Sequence, residues 1–211
     1  MPSRRDARIS LLKQPKQARS TELVAAILEA AVQVLAKGGA QRFTTARVAE
    51  KAGVSVGSLY QYFPNKAAIL FRLQSDEWRE TTALLRGILE DVRHPPLARL
   101  RILVHAFIRS ECEEAPMRLA LGDAAPLYRD APEAQAARAA SAGIVEAFLF
   151  EALPGVPAAE RTRAGDLIKM TLSTVGKQLS ESPREPAEID AYAEAMADMF
   201  CAYLERMRTG S

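Results

Sequence analysis

Small, hydroxyl and amide side chains share one side of a short segment in the first third of the chain. Leu59 and Phe63 lie four residues apart and form the apolar side of this segment, as they would in a helix. At 100° per residue around the axis, the other side consists of Gly57, Ser58, Tyr60 and Gln61. This side offers hydrogen-bond donors and acceptors with little bulk, which suits contact with another surface of hydrogen-bonding groups.

Two short helices are expected to position these side chains. Thr44 or Thr45 caps the first helix, because a threonine oxygen accepts a hydrogen bond from the free N–H groups of the first turn. Gly53 ends that helix where a left-handed backbone is easiest, Ser55 caps the second helix, and Pro64 stops it. Two helices joined by a turn that contains glycine predict a helix-turn-helix.

The stretch from residue 43 to residue 66 resembles the TetR (tetracycline repressor) family of transcriptional regulators. The matching positions are Thr44–Thr45, Val48–Ala49, Ala52–Ser55, Gly57, Leu59–Tyr60, Tyr62–Phe63 and Lys66. They cover the first third of the chain, and the remainder agrees with the family in length and helical layout. The resemblance implies a sequence-specific DNA-binding regulator, a repressor whose homodimer binds a palindromic operator in double-stranded DNA.

The resemblance also implies a role for each position of the motif. The phosphate contacts are Thr44, Thr45, Tyr60, Tyr62 and Lys66. The base-reading positions are Val56, Gly57, Ser58 and Gln61. In these positions Gln61 suits adenine, Val56 suits a thymine methyl group, and Gly57 lets the backbone approach closely. Arg47 on the outer side of the first helix and Ser55 at the start of the second complete the predicted DNA-binding set.

The charge of the chain is divided unevenly between its two parts. The net charge is +2, but residues 1–66 hold 11 Lys or Arg against 4 Asp or Glu, a balance of +7. Residues 67–211 hold 17 against 22, a balance of −5. A concentrated positive field attracts a polyanion such as DNA. The basic part is also the part that contains the motif, which favours a nucleic-acid partner for it.

Composition indicates a globular protein that avoids the membrane. The 211 residues are 48% hydrophobic with both charge signs dispersed, and we expect no membrane-spanning run of about 18 apolar residues. The apolar run at residues 9–12 is too short for a signal peptide, so a cytoplasmic protein is expected. Cys112 and Cys201 lack metal-ligand spacing and are predicted to be buried free thiols. We expect no metal and no cofactor.

Helical periodicity recurs along the chain without a strand pattern, so we predict an all-α fold. Outside the two motif helices, helices are expected over residues 20–37 and 65–91, from the break at Pro95–Pro96 to about residue 114, and over residues 116–121, 134–153, 158–181 and 187–208. Residues 122–132 are expected to form a loop. The helix that begins at Asn65 is the longest, and it links the motif to the acidic part of the chain.

Three regions follow from this layout. Residues 1–18 form a flexible basic arm that contains Arg4, Arg5, Arg8, Lys13 and Lys16. Residues 19–66 form a three-helix DNA-binding domain with the helix-turn-helix. Residues 67–211 form a domain of about six helices for effector binding and dimerisation.

The last two helices carry wide apolar stripes that predict a dimer interface. The predicted interface consists of Leu167, Thr171, Leu172, Val175, Leu179, Ile189, Tyr192, Met196, Met199, Phe200 and Tyr203. In a dimer each subunit lends both helices to a four-helix bundle across a two-fold axis. The two recognition helices then lie about 34 to 36 Å apart, one turn of DNA. The alternative is that the two helices close their own domain.

The resemblance implies a cavity for a small, largely apolar effector in the middle helices. From position alone the candidate contacts are His105, Cys112, Met117, Phe148, Met170 and Thr171, although a plain core role is favoured for each of them. An effector that binds better to another spacing of the DNA-binding domains would release the dimer from DNA.

Two rival functions are open. An enzyme is disfavoured, since the sequence has no phosphate-binding glycine loop and only one motif of the type Asp91-x-x-His94. No catalytic residue is therefore predicted. The second rival is a DNA-binding dimer without small-molecule control, either architectural or controlled by another protein.

Overall fold

The computed structural model describes residues 9–13, 17–139 and 142–210, and within these ranges every regular element is a helix. The helices are α1 (Ala18–Arg42), α2 (Thr45–Lys51), α3 (Val56–Tyr60), α4 (Lys66–Leu89), α5 (Pro96–Glu113), α6 (Ala115–Ala124), α7 (Pro132–Ala139), α8 (Ala142–Ala152), α9 (Ala158–Ser180) and α10 (Pro186–Thr209), with a 3-10 turn at Ala125–Leu127. The all-α prediction is confirmed.

The chain divides into two compact units. The first comprises Met1–Arg79 and Pro116–Ala139, and the second comprises Glu80–Ala115 and Ala140–Ser211. Helix α4 contributes residues to both units. This packing differs from the expected division at residue 66, because the start of α4 and the segment from α6 to α7 pack with the motif helices.

The first unit has a core built from α1 and the two helices of the motif. Ile27 and Leu35 of α1, Val48 of α2 and Leu59 of α3 are fully buried in it, together with Phe63. Helix α1 is interrupted at Gly39 (φ 64°), close to the predicted end at residue 37. Helical structure resumes after Gly39 and continues to Arg42. The predicted three-helix arrangement is therefore present.

Tyr128 explains why the segment after α5 belongs to the first unit. Its hydroxyl donates to the carbonyl oxygen of Leu121 at 3.1 Å and to Oε1 of Gln74 on α4 at 3.2 Å. Arg118 of α6 forms an ion pair with Glu77 of α4 at 2.6 Å. Residues 122–132, predicted to be a loop, thus contain the end of α6 and a buried tyrosine.

The second unit has its own core, to which α5, α8, α9 and α10 contribute. Polar side chains of α5 pair with acidic side chains of α10: Arg101 with Glu194 and Asp198, and Arg109 with Asp190. Within the segment predicted as one helix over residues 134–153, residues 134–139 of α7 and 142–152 of α8 are helical, and residues 140–141 lie outside the described residues.

Arg99 of α5 is a buried cation in this unit, with 1% of its side chain exposed. Its Nη1 donates to the carbonyl oxygen of Leu89, the last residue of α4, and its Nη2 pairs with Glu151 of α8. The guanidinium carbon also lies 5.7 Å from the centre of the Phe148 ring. One side chain therefore joins the end of α4 to α8.

The turn between α4 and α5 accounts for the Asp91-x-x-His94 pattern. The Asp91 carboxylate accepts from Nε and Nη2 of Arg93, both at 2.7 Å, and lies 3.3 Å from Nδ1 of His94. These hydrogen bonds from Arg93 hold the pKa of Asp91 well below its usual range. The pattern thus forms a structural turn.

Helix α1 is long and apolar enough to cross a membrane, judged by length and hydropathy alone. Val24, Ile27, Ala31 and Leu35 of this helix are buried in the first core. Because helices of globular cores meet the same criterion, this result assigns no membrane contact to α1. Glu29, Gln33 and Lys37 interrupt its apolar residues, so α1 is not an unbroken apolar run of about 18 residues.

Both cysteines are free thiols, but they are buried to different degrees. Cys201 is buried on α10, and its Sγ lies 3.6 Å from the carbonyl oxygen of Leu97, whereas Cys112 is half-buried. Burial raises the pKa of both thiols. The prediction of buried free thiols is confirmed for Cys201 and only partly for Cys112.

Candidate nucleic-acid interface

Helix α2 begins and ends as its residue types predict. The Oγ1 of Thr44 accepts from the backbone N–H of Arg47 at 3.3 Å, so Thr44 is the N-cap. After the helix, Gly53 has a φ of 67°, and the N–H of Val54 donates to the carbonyl oxygen of Ala49 at 3.0 Å. This left-handed residue turns the chain towards α3.

Ser55 caps α3 and also fixes Ser58. Its Oγ accepts from the N–H of Ser58 at 3.0 Å, and the two hydroxyl oxygens lie 2.8 Å apart. Leu59 is fully buried and holds the helix on the core. The helix ends at Tyr60, earlier than Pro64 suggested, and a turn of residues 61–63 follows.

The side of α3 away from the core is exposed together with the start of α2. Val56 is 40% exposed and Tyr60 is 43% exposed. Thr45 and Ser58 are half-buried, and the other exposed members of the predicted set are Thr44, Arg47, Ser55, Gly57, Gln61 and Lys66. Ten of the eleven predicted DNA-binding residues therefore have solvent access.

A pair of hydroxyl groups joins the two motif helices on this surface. The Oγ1 of Thr45 lies 3.0 Å from the hydroxyl oxygen of Tyr60. Nearby along the chain, Nη1 of Arg47 donates to the carbonyl oxygen of Arg42 at 2.9 Å, which fixes its guanidinium. Fixed hydroxyls and a guanidinium are the groups that bind phosphate oxygens in protein–DNA contacts.

Tyr62 is the exception among the predicted DNA contacts. It is only 5% exposed and lies in the first core. Its predicted position beside the exposed side assumed that α3 continues through residue 62. The helix ends at Tyr60, and the following turn directs the Tyr62 side chain inward. We therefore assign Tyr62 to packing, and its expected phosphate contact is corrected.

The segment before α1 packs more closely than a flexible arm would. Ile9 is 3% exposed and belongs to the first core, and the N–H of Leu12 donates to the carbonyl oxygen of Tyr62 at 2.9 Å. The apolar side chains of Ile9 and Leu11 could have indicated this contact in the sequence. Four of the predicted basic residues, Arg4, Arg5, Arg8 and Lys16, lie outside the described residues.

The six candidate effector contacts have different surroundings. Met117 belongs to the first unit, whereas the other five belong to the second. Met170 is 60% exposed, and Phe148 is buried in the second core. His105 is held by Glu194, whose Oε2 lies 2.7 Å from its Nε2. An effector site at these residues stays a prediction.

A cleft of about 270 Å³ lies between α8 and α9. Its lining is both apolar and charged, and it consists of Val145, Glu146, Leu149, Phe150, Ala158, Arg161, Thr162, Gly165, Asp166 and Lys169. The guanidinium of Arg161 lies 5.0 Å from the centre of the Phe150 ring. None of the six candidate effector contacts lines this cleft.

The predicted dimer residues fall into two groups. Leu172, Leu179, Met196 and Phe200 are at most 7% exposed and pack within their own core. Three residues, Leu167, Tyr192 and Met199, are 45 to 52% exposed. The remainder, Thr171, Val175, Ile189 and Tyr203, are half-buried. The predicted interface thus included residues from two sides of each helix. The four buried residues pack within their own subunit and are not part of the candidate interface.

Two family models match the chain. The model described as "Bacterial regulatory proteins, tetR family" matches residues 27–73, which contain the whole helix-turn-helix. The model described as "Tetracyclin repressor-like, C-terminal domain" matches residues 95–207, more than half of the chain.

Individual relatives match over shorter regions. The nucleoid occlusion factor SlmA of Alteromonas mediterranea is 33% identical over 108 residues, 50% of this chain and 54% of that protein. The HTH-type transcriptional repressor KstR of Rhodococcus jostii is 33% identical over 84 residues, 40% of this chain and 38% of that protein. The chain thus spans about half, or less, of the length of these curated relatives.

A solved structure extends the likeness to most of the chain. The transcriptional regulator FadR of Bacillus subtilis, in complex with stearoyl-CoA, has a TM-score of 0.60 to this chain. The superposition covers 89% of this chain and 99% of that one at 16% sequence identity. At this identity the likeness shows a shared fold.

Proposed function

Since the chain belongs to the TetR family of bacterial regulatory proteins, we propose that it is a sequence-specific DNA-binding transcriptional regulator that acts as a repressor. The observation that carries the proposal is the exposed side of α3, whose end is tied to the start of α2 by the hydroxyls of Thr45 and Tyr60, 3.0 Å apart. A protein of this type works where the chromosome lies, so we place it in the cytoplasm.

In this proposal α3 enters the major groove of double-stranded DNA. Gln61 bonds an adenine, Val56 contacts a thymine methyl group, and Gly57 lets the backbone lie close to the bases. The hydroxyls of Thr44, Thr45 and Tyr60 and the ammonium of Lys66 bind phosphates on either side. Phosphate contacts give affinity, and the exposed positions of α3 give sequence preference.

The protein binds DNA as a homodimer built on α9 and α10. The support is a set of apolar side chains that its own core leaves open: Leu167 and Met170 on α9, and Tyr192 and Met199 on α10, each 45 to 60% exposed. Two copies of these helices would cover this set in a four-helix bundle. The operator is then a palindrome, since the two α3 helices are related by a two-fold axis.

A small, largely apolar effector releases the dimer from DNA. The support is family membership and a neighbour of the same fold that was solved with stearoyl-CoA. An effector acts here only through a difference in its affinity for the DNA-bound and free states. Helix α4, which begins at Lys66 and contributes to both units, is the proposed carrier of the change.

A DNA-binding dimer without small-molecule control is the second candidate. One observation favours it: one relative is a nucleoid occlusion factor. A thermal-shift series separates the two candidates, because a ligand that binds only the folded state raises the melting temperature. Stearoyl-CoA is the test ligand, and coenzyme A without the acyl chain is its control.

Selection of bound duplexes from a random pool tests the DNA-binding proposal. The expected result is a palindrome with half-site centres about 10 to 10.5 base pairs apart, or a multiple of that spacing. Binding of the enriched duplex is then measured with and without stearoyl-CoA. Failure to enrich any sequence over the starting pool would contradict sequence-specific binding, whatever the outcome with the effector.

A further inference from the structure

The segment of residues 9–13 is anchored to the first unit through apolar side chains. Ile9 is 3% exposed within the core that holds α1, α2 and α3, and Leu11 is half-buried against the same core. Leu12, which follows Leu11 and precedes Lys13, is 43% exposed. Ile9 and Leu11 therefore hold the segment on the core, whereas Leu12 faces solvent.

A main-chain hydrogen bond joins this segment to the end of the recognition helix. The N–H of Leu12 donates to the carbonyl oxygen of Tyr62 at 2.9 Å. Tyr62 follows directly after the exposed Gln61, and α3 ends one residue earlier, at Tyr60. The segment therefore lies against the turn that follows α3.

Lys13 comes next in the chain and is exposed. Its Cα is about 3.8 Å from that of Leu12, so its flexible four-carbon stem starts close to the end of α3. It is the only charged residue in the described segment 9–13. Lys13 is therefore an exposed cation that follows directly after the residue bonded to the turn behind α3.

We propose that Lys13 is a further DNA-phosphate contact, and that Ile9 and the Leu12–Tyr62 hydrogen bond are the anchor that positions it. The inference rests on the proposed DNA binding and adds a residue to it. Lys13 would neutralise a phosphate beside the half-site and release a counterion, without reading the sequence. Ile9 acts through Lys13 and does not touch DNA.

Binding is measured by fluorescence anisotropy over a salt series. The probes are the duplex that the wild-type protein enriches from a random pool and a scrambled duplex of the same length. Lys13→Gln is expected to weaken binding to both duplexes and to lower the slope of log K against log salt by about two, one for each subunit of the proposed dimer. Arg208→Gln removes one positive charge from an exposed site on α10 of the second unit, on the side of that helix away from Met199, and as the control it is expected to keep the wild-type slope.

A double-mutant cycle tests the anchor. Combined with Ile9→Ala, Lys13→Gln is expected to lose roughly half or more of its effect on the salt slope. Leu12→Pro removes the N–H donor from an exposed position, and it replaces Ile9→Ala in the cycle if circular dichroism shows that the latter is unfolded. If Lys13→Gln changed the salt slope equally with and without the anchor, the positioning role of Ile9 and of the Leu12–Tyr62 hydrogen bond would be overturned.

The Lys66→Ala variant separates this inference from the proposed function. If Lys66→Ala lowers the salt slope and Lys13→Gln does not, the Lys13 contact is overturned while the DNA-binding proposal stands. If the wild-type protein enriches no duplex, both are overturned.

Discussion

Gly57 lies on the exposed side of α3 with room for a side chain. A Cβ built on it would meet only Oγ of Ser55, at an ordinary 3.7 Å. Its backbone is helical, and alanine is favoured over glycine inside a helix. The folded protein alone therefore gives no reason for a glycine here, whereas a DNA surface close to the backbone does.

Gly57→Ala is expected to raise the free energy of unfolding by about 0.5 to 1 kcal/mol and to weaken operator binding. The gain comes from the lower backbone entropy of alanine in the unfolded chain, and the loss comes from a methyl group between α3 and the DNA. Urea unfolding and anisotropy titration measure the two effects.

Gly53→Ala is the matched control for this prediction. Gly53 also has open space, but its φ of 67° strains any L side chain. This variant is expected to lose about 1 kcal/mol of stability or more. If Gly57→Ala bound the operator as tightly as wild type, close approach of the backbone at this position would be wrong.

Gln61 and Lys66 are predicted to act on DNA in different ways. Gln61→Ala should cost about 1 to 3 kcal/mol on the preferred sequence and relax specificity at one position, because a base contact is lost. Lys66→Ala should weaken binding to all sequences and lower the salt slope by about two, one for each subunit of the proposed dimer. Selection of bound duplexes with each variant, and with Gln135→Ala as an exposed glutamine on α7, tests both effects.

At the scale of single residues, the sequence was most informative where the side chain bonds its own helix. Thr44, one of two candidate threonines, and Ser55 were predicted as caps, and each accepts from a backbone N–H three residues later. Tyr62 was misplaced because its direction depends on where α3 ends, and that end is set by packing of the following turn. Local hydrogen bonds are encoded locally, whereas the end of a five-residue helix is not.

At the scale of elements, the end of α4 depends on Arg99. Its Nη1 bonds the carbonyl of Leu89, one of the last carbonyls that the helix itself leaves without a partner. Its partner Glu151 is 50% exposed, so water still solvates that carboxylate if the arginine is lost. Loss of the arginine thus costs less than leaving a charge unpaired in the core.

Arg99→Met is expected to lower the free energy of unfolding by about 1 to 3 kcal/mol, because it leaves the Leu89 carbonyl unpaired while keeping the packing volume. Urea unfolding is the measurement. The control is Arg93→Met, whose side chain is 83% exposed in its pair with Asp91 and which should change stability less than Arg99→Met does. Equal effects of the two substitutions would show that Arg99 does not hold the end of α4.

Long helices with one apolar side were predictable, and the segment between α5 and α8 was not. The bounds of α4, α5, α9 and α10 lie within two residues of those predicted. Between them, Tyr128 takes its place through Gln74, 54 residues earlier in the chain. Periodicity contains no information about such a distant partner, so residues 122–132 were predicted to be a loop.

At the scale of the whole molecule, α9 and α10 use two sides at once. Leu172 and Phe200 face the core of their own unit, whereas Leu167 and Met199 remain exposed. The sequence shows that both helices are rich in apolar residues, but a wide stripe does not tell which part a subunit keeps for itself. Solvent exposure separates the two parts and defines a smaller candidate interface.

Met199→Arg is expected to convert the dimer to a monomer, because it places a charge in the centre of the apolar surface that the second copy would cover. Sedimentation analysis measures the mass, and anisotropy measures the accompanying loss of operator affinity. Val92→Arg introduces the same charge at an 81% exposed site in the α4–α5 turn and should leave the dimer intact. A Met199→Arg protein that remains a dimer would exclude this surface of α10.

Tyr128 and Leu121 pack in the first core, and this limits where the chain can be truncated without exposing apolar surface. A fragment that stops at Arg79 would retain the motif but lose the side chains of α6 and the following turn that bury part of its apolar surface. The DNA-binding half is a discontinuous module. A chimera that transplants its specificity to another regulator must carry residues 116–139 as well as residues 9–79, or rebuild the lost surface with polar substitutions.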